Sequence, residues 1–151
     1  MSVTLVIEEK KWRTRRGLAA RLKRAAALAL ARGGNANGAL TILLSNDRRL
    51  RALNVSFRGK DKATNVLSFP AADLPEGPQR PLGDLVICPD VLRAEAREQN
   101  KKLRAHWAHL VVHGALHLVG YDHERPVDAQ RMERREIDVL RRLGFPNPYR
   151  S

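Results

Sequence analysis

The chain has 151 residues, of which 43% are hydrophobic, and its 28 lysines and arginines exceed its 16 acidic residues to give a formal net charge of +12. This length and composition predict one ordinary globular domain over residues 1–151, and the lack of an apolar run of about 18 residues argues against a transmembrane helix. The basic excess favours a polyanionic partner, nucleic acid rather than an anionic membrane, because no amphipathic helix rich in aromatic residues supports membrane attachment.

Hydrophobic periodicity and turn residues predict elements in the order β-α-β-α-β-β-α-α-α. The predicted strands lie at residues 3–7, 39–44, 65–69 and 84–88. The predicted helices lie at residues 17–31, 47–57, 90–99, 102–118 and 127–143. A loop rich in proline and glycine, at residues 70–83, is long enough to be a functional flap. We therefore expect an α+β domain in which a small mixed four-stranded sheet packs with about five helices.

Three histidines follow a metal-binding pattern. His113, His117, Gly120 and His123 read H-x-x-x-H-x-x-G-x-x-H. On a helix, His113 and His117 lie on one face, about 5–6 Å apart at Cβ. Gly120 lets the chain leave the helix with a positive φ, so that His123 can return to the same point. Three imidazoles with one open coordination position are the ligand set of a catalytic zinc, so we predict one zinc ion on this central, zincin-like helix.

The same spacing occurs in the zinc-peptidase motif H-E-x-x-H-x-x-G-x-x-H, in which the glutamate is the general base. This chain has Gly114 in the position of that glutamate. The pattern therefore argues against proteolysis and for a different substrate. A purely structural histidine cluster is the alternative, and it is disfavoured because three histidines and a glycine at the helix exit rarely coincide.

Two further histidines precede the motif on the same predicted helix. His109 shares a face with His113 and His117, but eight residues of helix span about 12 Å, too far for His109 and His117 to bind one ion. A supporting role is predicted for His109 and a surface position for His106. Asp122 is a candidate for orienting a ligand, accepting a proton or capping the next segment, and Glu124 is a weaker candidate of the same kind.

A basic cluster and the single cysteine complete the candidate residues. Arg58, Lys60 and Lys62 precede a predicted strand, where they either hold a phosphate near the metal, with bidentate contacts from Arg58, or form an ordinary basic turn. Cys88 is the only cysteine, so no intrachain disulfide can form, which suits a reducing cytosol. Its apolar neighbours predict that Cys88 is buried.

Two stretches together resemble the YbeY family, the bacterial rRNA maturation factors described as single-strand-specific, metal-dependent endoribonucleases. The first reads F-R-G-K-D-K-x-T-N-V-L-S-F-P at residues 57–70 and continues with G-D-L-V-I-C at 83–88. The second runs from H-W-A-H at 106–109 through the histidine motif to His123, including G-Y-D-H at 120–123. Chain length and element order fit as well, so the resemblance covers about residues 40–145.

The resemblance implies zinc bound by His113, His117 and His123, and a functional arginine at Arg58. The predicted catalytic residues are therefore Arg58, His113 and His117. It also implies a cytoplasmic enzyme of 16S rRNA 3′-end maturation and ribosome quality control, whose partners are single-stranded RNA, the ribosome and ribosomal proteins, with neither DNA nor membrane. Gly114 is the family's own residue at its position. The alternative function is an assembly factor that binds rRNA without catalysis and uses zinc for stability.

Overall fold

The computed structural model describes residues 2–8, 12, 17–35, 37–58, 65–71, 80–121 and 124–149. Its strands are β1 (Ser2–Ile7), β2 (Gly38–Leu44), β3 (Val66–Pro70) and β4 (Arg80–Ile87). Its helices are α1 (Leu18–Arg32), α2 (Asp47–Arg58), α3 (Pro89–Glu98), α4 (Leu103–Leu118) and α5 (Pro126–Arg142). No helix in these ranges is long and apolar enough to cross a membrane. The predicted α+β class and element order are confirmed.

The strands form one mixed sheet in the order β1-β2-β4-β3. β1 and β4 both run parallel to β2, and Ile42 in the middle of β2 lies between Leu5 and Leu85. Parallel neighbours need crossover connections, which α1 supplies between β1 and β2. β3 runs antiparallel to β4, pairs Leu67 with Val86, and forms one edge of the sheet.

Two clusters of buried residues, one on each face, show that the sheet is covered on both faces. One face carries Ile42 and Leu44 and packs against α1, α4 and α5 to form the main core. The other face carries Val86 and Cys88 and packs against Leu50 of α2. Cys88 is therefore buried as predicted, and burial raises the pKa of its thiol.

Helix α4 lies in the main core. Ten of its 16 residues are buried, so the helix is apolar nearly all round. The buried small residues Ala25, Ala26 and Ala29 of α1 allow the two helices to pack closely. After α4 the chain turns at Gly120, whose φ of +108° confirms the predicted exit. This packing fixes the helix that carries the histidine motif.

β4 starts at Arg80, earlier than the predicted start at residue 84. The additional residues pair with the beginning of β2, where Gly38 lies opposite Arg80, and a register shift follows between Ala39 and Leu40. The local sequence of this proline-containing segment predicts a loop. The segment nevertheless forms a strand because it pairs with β2. Residues 72–79 of the predicted flap lie outside the described residues.

Candidate metal centre

His113 and His117 project from one face of α4 into a common cleft. Their Nε2 atoms lie 3.1 Å apart, and their ring planes are inclined by 80°. Two ligands at 2.0–2.1 Å from a tetrahedral zinc are separated by about 3.3 Å. The two nitrogens therefore have nearly the separation that a shared ion requires.

A buried carboxylate orients the first of these histidines. Glu136 of α5 is 0% exposed, and its Oε1 lies 2.6 Å from His113 Nδ1. A carboxylate can only accept a hydrogen bond, so the proton lies on Nδ1 and, in the neutral ring, the lone pair lies on Nε2. Carboxylates orient many zinc-binding histidines in this way.

Two further side chains contact Glu136. The Tyr149 hydroxyl donates to Oε2 at 2.5 Å. His109 Nε2 lies 3.5 Å from Oε1 and 3.3 Å from the Tyr149 hydroxyl, and the His109 and Tyr149 rings meet edge to face with centroids 5.4 Å apart. His109 thus lies beside the histidine pair, in the position expected for the predicted supporting role.

These donors keep Glu136 ionised. Burial by itself raises the pKa of Glu136, but hydrogen bonds from His109, His113 and Tyr149 outweigh burial and lower the pKa to about 2. Burial and the hydrogen bond to Glu136 raise the pKa of Tyr149, so that its hydroxyl stays protonated. The site therefore contains a buried negative charge, which favours a cation close by.

A second set of donor atoms overlaps the first. His109, His113 and Glu136 offer one ligand atom each, and these atoms all lie within 4.8 Å of one another. However, the 2.6 Å contact between His113 Nδ1 and Glu136 Oε1 is a hydrogen-bond distance, shorter than the separation of about 3.3 Å between two zinc ligands. The geometry therefore favours Glu136 as the partner of His113 rather than as a ligand.

The C-terminal segment brings Tyr149 to this site. Gly144, with φ +91°, turns the chain after α5. Lys101 Nζ then donates to the carbonyl oxygen of Pro148 at 3.3 Å, next to Tyr149. Neither Glu136 nor Tyr149 was predicted from the sequence. Glu136 left a usable signal, because it interrupts the buried stripe of α5, whereas nothing in the sequence pointed to Tyr149.

The histidine pair lies in a cleft of about 720 Å³ between α4 and the edge strand β3. Strand β3 contributes Val66, Ser68 and Pro70 to its lining. The remaining described lining residues are Asn65, His109, Leu110, His113, His117, Leu118, Glu124 and Tyr149. The volume is typical of a site for a nucleotide-sized ligand.

The expectation that His106 lies at the surface is wrong. His106 is 5% exposed, and its Nε2 lies 3.0 Å from Glu95 Oε1. The Glu95 carboxylate also accepts from Asn65 Nδ2 at 3.1 and 3.2 Å. α3 supplies this carboxylate, so the burial of His106 depends on a tertiary contact that helical spacing does not reveal. Glu95 thereby connects α4 to the residue that precedes β3.

Several predicted functional residues lie outside the described part of the chain. They are Lys60, Lys62, Asp122 and the third predicted ligand, His123. Arg58 is the last residue of α2, and its side chain is not described. Their roles therefore stay predictions.

Comparison with known proteins identifies the family. The chain matches the model of the family described as Endoribonuclease YbeY over residues 6–144. It belongs to this family. The Endoribonuclease YbeY of Halorhodospira halophila (strain DSM 244 / SL1) is 52% identical over 117 residues, which is 76% of each of the two chains. A solution structure of a Thermotoga maritima protein has the same fold, with a TM-score of 0.60 and 24% identity over 99% of both chains.

In this YbeY-family chain, Gly114 allows close packing between α4 and β4. A Cβ atom at residue 114 would lie 2.8 Å from Leu85 Cδ2 on β4, closer than side chains tolerate. The position occupied by the general base of zinc peptidases therefore faces the sheet here. Glycine at this point lets α4 approach β4 closely.

Gly114→Glu is expected to destabilise the fold by about 3 kcal/mol or more and to create no peptidase activity, because the new carboxylate is forced against Leu85 without a partner. Chemical denaturation measures the loss. Ala105→Glu adds the same group to the partly exposed first turn of α4 and should have a small effect. Equal unfolding free energies for the two variants would contradict this account.

Tyr149→Phe is expected to lower the unfolding free energy by about 1 kcal/mol, because Glu136 Oε2 loses a donor. A hydrogen bond to a charged group usually contributes more to the unfolding free energy than this. The expected loss is smaller here because Tyr149 is 46% exposed, so water can replace its hydroxyl as a donor to Glu136. Urea titration of the metal-free protein measures the change. Tyr121→Phe, outside this network, is the control, and an unchanged midpoint for Tyr149→Phe would refute the prediction.

Proposed function

We propose that this chain is a zinc-dependent endoribonuclease that cleaves single-stranded RNA. The observation that carries the proposal is the pair of imidazole nitrogens 3.1 Å apart in one cleft, with His113 oriented by the buried Glu136. Membership of the Endoribonuclease YbeY family supports RNA as the substrate. The net charge of +12 also suits a polyanion.

The donor chemistry fits zinc. His113 and His117, joined by His123 from the motif, would hold one ion per chain, and three imidazoles leave a fourth coordination position open. The negative charge of Glu136 would balance part of the charge of the cation. When bound, the ion would supply Lewis acidity for phosphodiester cleavage.

The other residues bind and orient. Glu136 fixes the tautomer and the plane of His113, while Tyr149 donates to the second oxygen of Glu136. Arg58 would neutralise charge that develops on the reacting phosphoryl group. With glycine at residue 114, Asp122 would be the proton acceptor.

Membership of the family also supports a proposal for the biological setting. We propose that the chain is a single cytoplasmic domain that acts in 16S rRNA 3′-end maturation and 70S ribosome quality control. Its partners would be rRNA, the ribosome and ribosomal proteins, without DNA.

Metal removal tests the proposed function directly. A 5′-labelled single-stranded RNA is incubated with untreated, metal-stripped and zinc-restored protein, purified in parallel. Cleavage should disappear on stripping and return with zinc. Cleavage that persists after stripping would indicate a contaminating nuclease. If stripping lowers the melting temperature and RNA binding together, and no preparation cleaves, the chain is a zinc-stabilised assembly factor instead.

A further inference from the structure

Within the described part of the chain, β3 pairs with β4 on one side only, and its other edge borders the same cleft as the histidines. Two hydrogen bonds to β4 define which backbone groups face this edge: Cys88 N–H donates to Asn65 O, and Ala71 N–H donates to Leu82 O, both at 3.0 Å. Hydrogen-bonded pairs alternate along an antiparallel ladder. Residues 65, 67, 69 and 71 therefore pair with β4, and the backbone N–H and C=O groups of Val66 and Ser68 point away from it.

We propose that this edge is a subsite for unpaired RNA bases, in which the backbone N–H and C=O of Val66 and those of Ser68 each hydrogen-bond to the Watson–Crick edge of one base. The inference rests on the proposed function, because it assigns part of the RNA to the cleft. Val66, Pro70, Leu110 and Leu118 line the same cleft and provide apolar surface for the bases. The cleft volume of about 720 Å³ accommodates a nucleotide.

The chemistry of the strand edge favours a base over a peptide. A peptide strand needs a longer row of backbone groups, whereas β3 offers two residues and then ends at Pro70, which has no N–H. Each of the four RNA bases presents a donor beside an acceptor on its Watson–Crick edge, matching the N–H and C=O of one residue. The net charge of +12 also favours a nucleic acid.

The subsite accounts for single-strand selectivity. A base within a duplex already uses its Watson–Crick edge, so it cannot pair with β3. Because backbone groups can match all four bases, the subsite should select unpaired nucleotides while showing little sequence preference.

Amide hydrogen exchange followed by NMR tests the subsite without any substitution. Chelated protein is mixed with a mixed-sequence single-stranded RNA, which stays intact without metal, or with a duplex of the same sequence. Exchange at Val66 and Ser68 should slow by about tenfold or more with the single strand alone, as one hydrogen bond of about 1.4 kcal/mol implies. The amides of Leu67 and Phe69, already bonded to β4, serve as internal controls.

Each other outcome overturns the subsite in a distinct way. If fluorescence anisotropy shows RNA binding but Val66 and Ser68 exchange as in the free protein, the subsite is wrong and the proposed function stands. Equal protection by duplex RNA, or protection by an acidic peptide alone, also refutes it. Failure of both the chelated and the zinc-loaded protein to bind any RNA refutes both the subsite and the proposed function.

Two variants at residue 68 give a second test. Ser68→Pro removes the outward N–H without removing a ladder hydrogen bond, which edge strands tolerate. Ser68→Ala keeps that N–H and removes only the hydroxyl. With melting temperatures matched, Ser68→Pro should bind single-stranded RNA about tenfold more weakly than Ser68→Ala. Equal affinities would overturn the proposal.

Discussion

Replacing His117 by alanine is expected to abolish zinc binding and to lower RNA cleavage by about a thousandfold or more. The reason is that His117 Nε2 forms half of the 3.1 Å nitrogen pair on α4. If the metal ion stabilises the transition state by about 4 kcal/mol, its loss lowers the cleavage rate by about a thousandfold. Zinc content is measured by elemental analysis, and cleavage is measured by single-turnover kinetics on labelled RNA.

His109→Ala is the matched control for this prediction. It removes an imidazole from the same face of α4, and it also removes one member of the second donor set formed with His113 and Glu136. We expect it to retain zinc, because the assigned ligands are His113, His117 and His123. Our assignment would be wrong if His109→Ala lost zinc while His117→Ala retained it. That result would indicate that the second donor set binds the ion.

Glu136→Gln is expected to weaken zinc binding by about 10–100-fold, because it removes the charge that orients and polarises His113. Glutamine preserves the volume of the side chain in this buried position, so the fold should persist. Cleavage should be lost at low zinc concentration and largely recovered at saturating zinc. Competition with a chromophoric chelator gives the dissociation constant.

The control for Glu136→Gln lies one turn earlier on α5. Glu133→Gln makes the same charge change at a partly exposed residue, whereas Glu136 is the carboxylate that is hydrogen-bonded to His113. Zinc affinity in this control should match that of the unaltered protein. If both variants weaken zinc equally, the effect is a general charge effect, and Glu136 has no special role in orienting His113.

The local sequence pattern was sufficient to predict most of the helices and strands. The turn residues before β2 and the amphipathic spacing of α1 predicted both elements nearly to their ends, because turn residues and side-chain periodicity are both local signals. The start of β4 was misplaced by local pattern, because its first residues become a strand only by pairing with the beginning of β2. Strand order likewise depends on pairing between residues far apart in the chain.

The sequence by itself determined the histidine spacing, the basic charge, the glycine exit at Gly120 and the family, because each is local or compositional. Tertiary structure decided what surrounds the histidines. Glu136 reaches His113 from α5, Tyr149 arrives through the C-terminal turn, and β3 closes the cleft from the sheet edge. These contacts join residues distant in sequence, so they exist only once α4, α5 and the sheet have packed around one core.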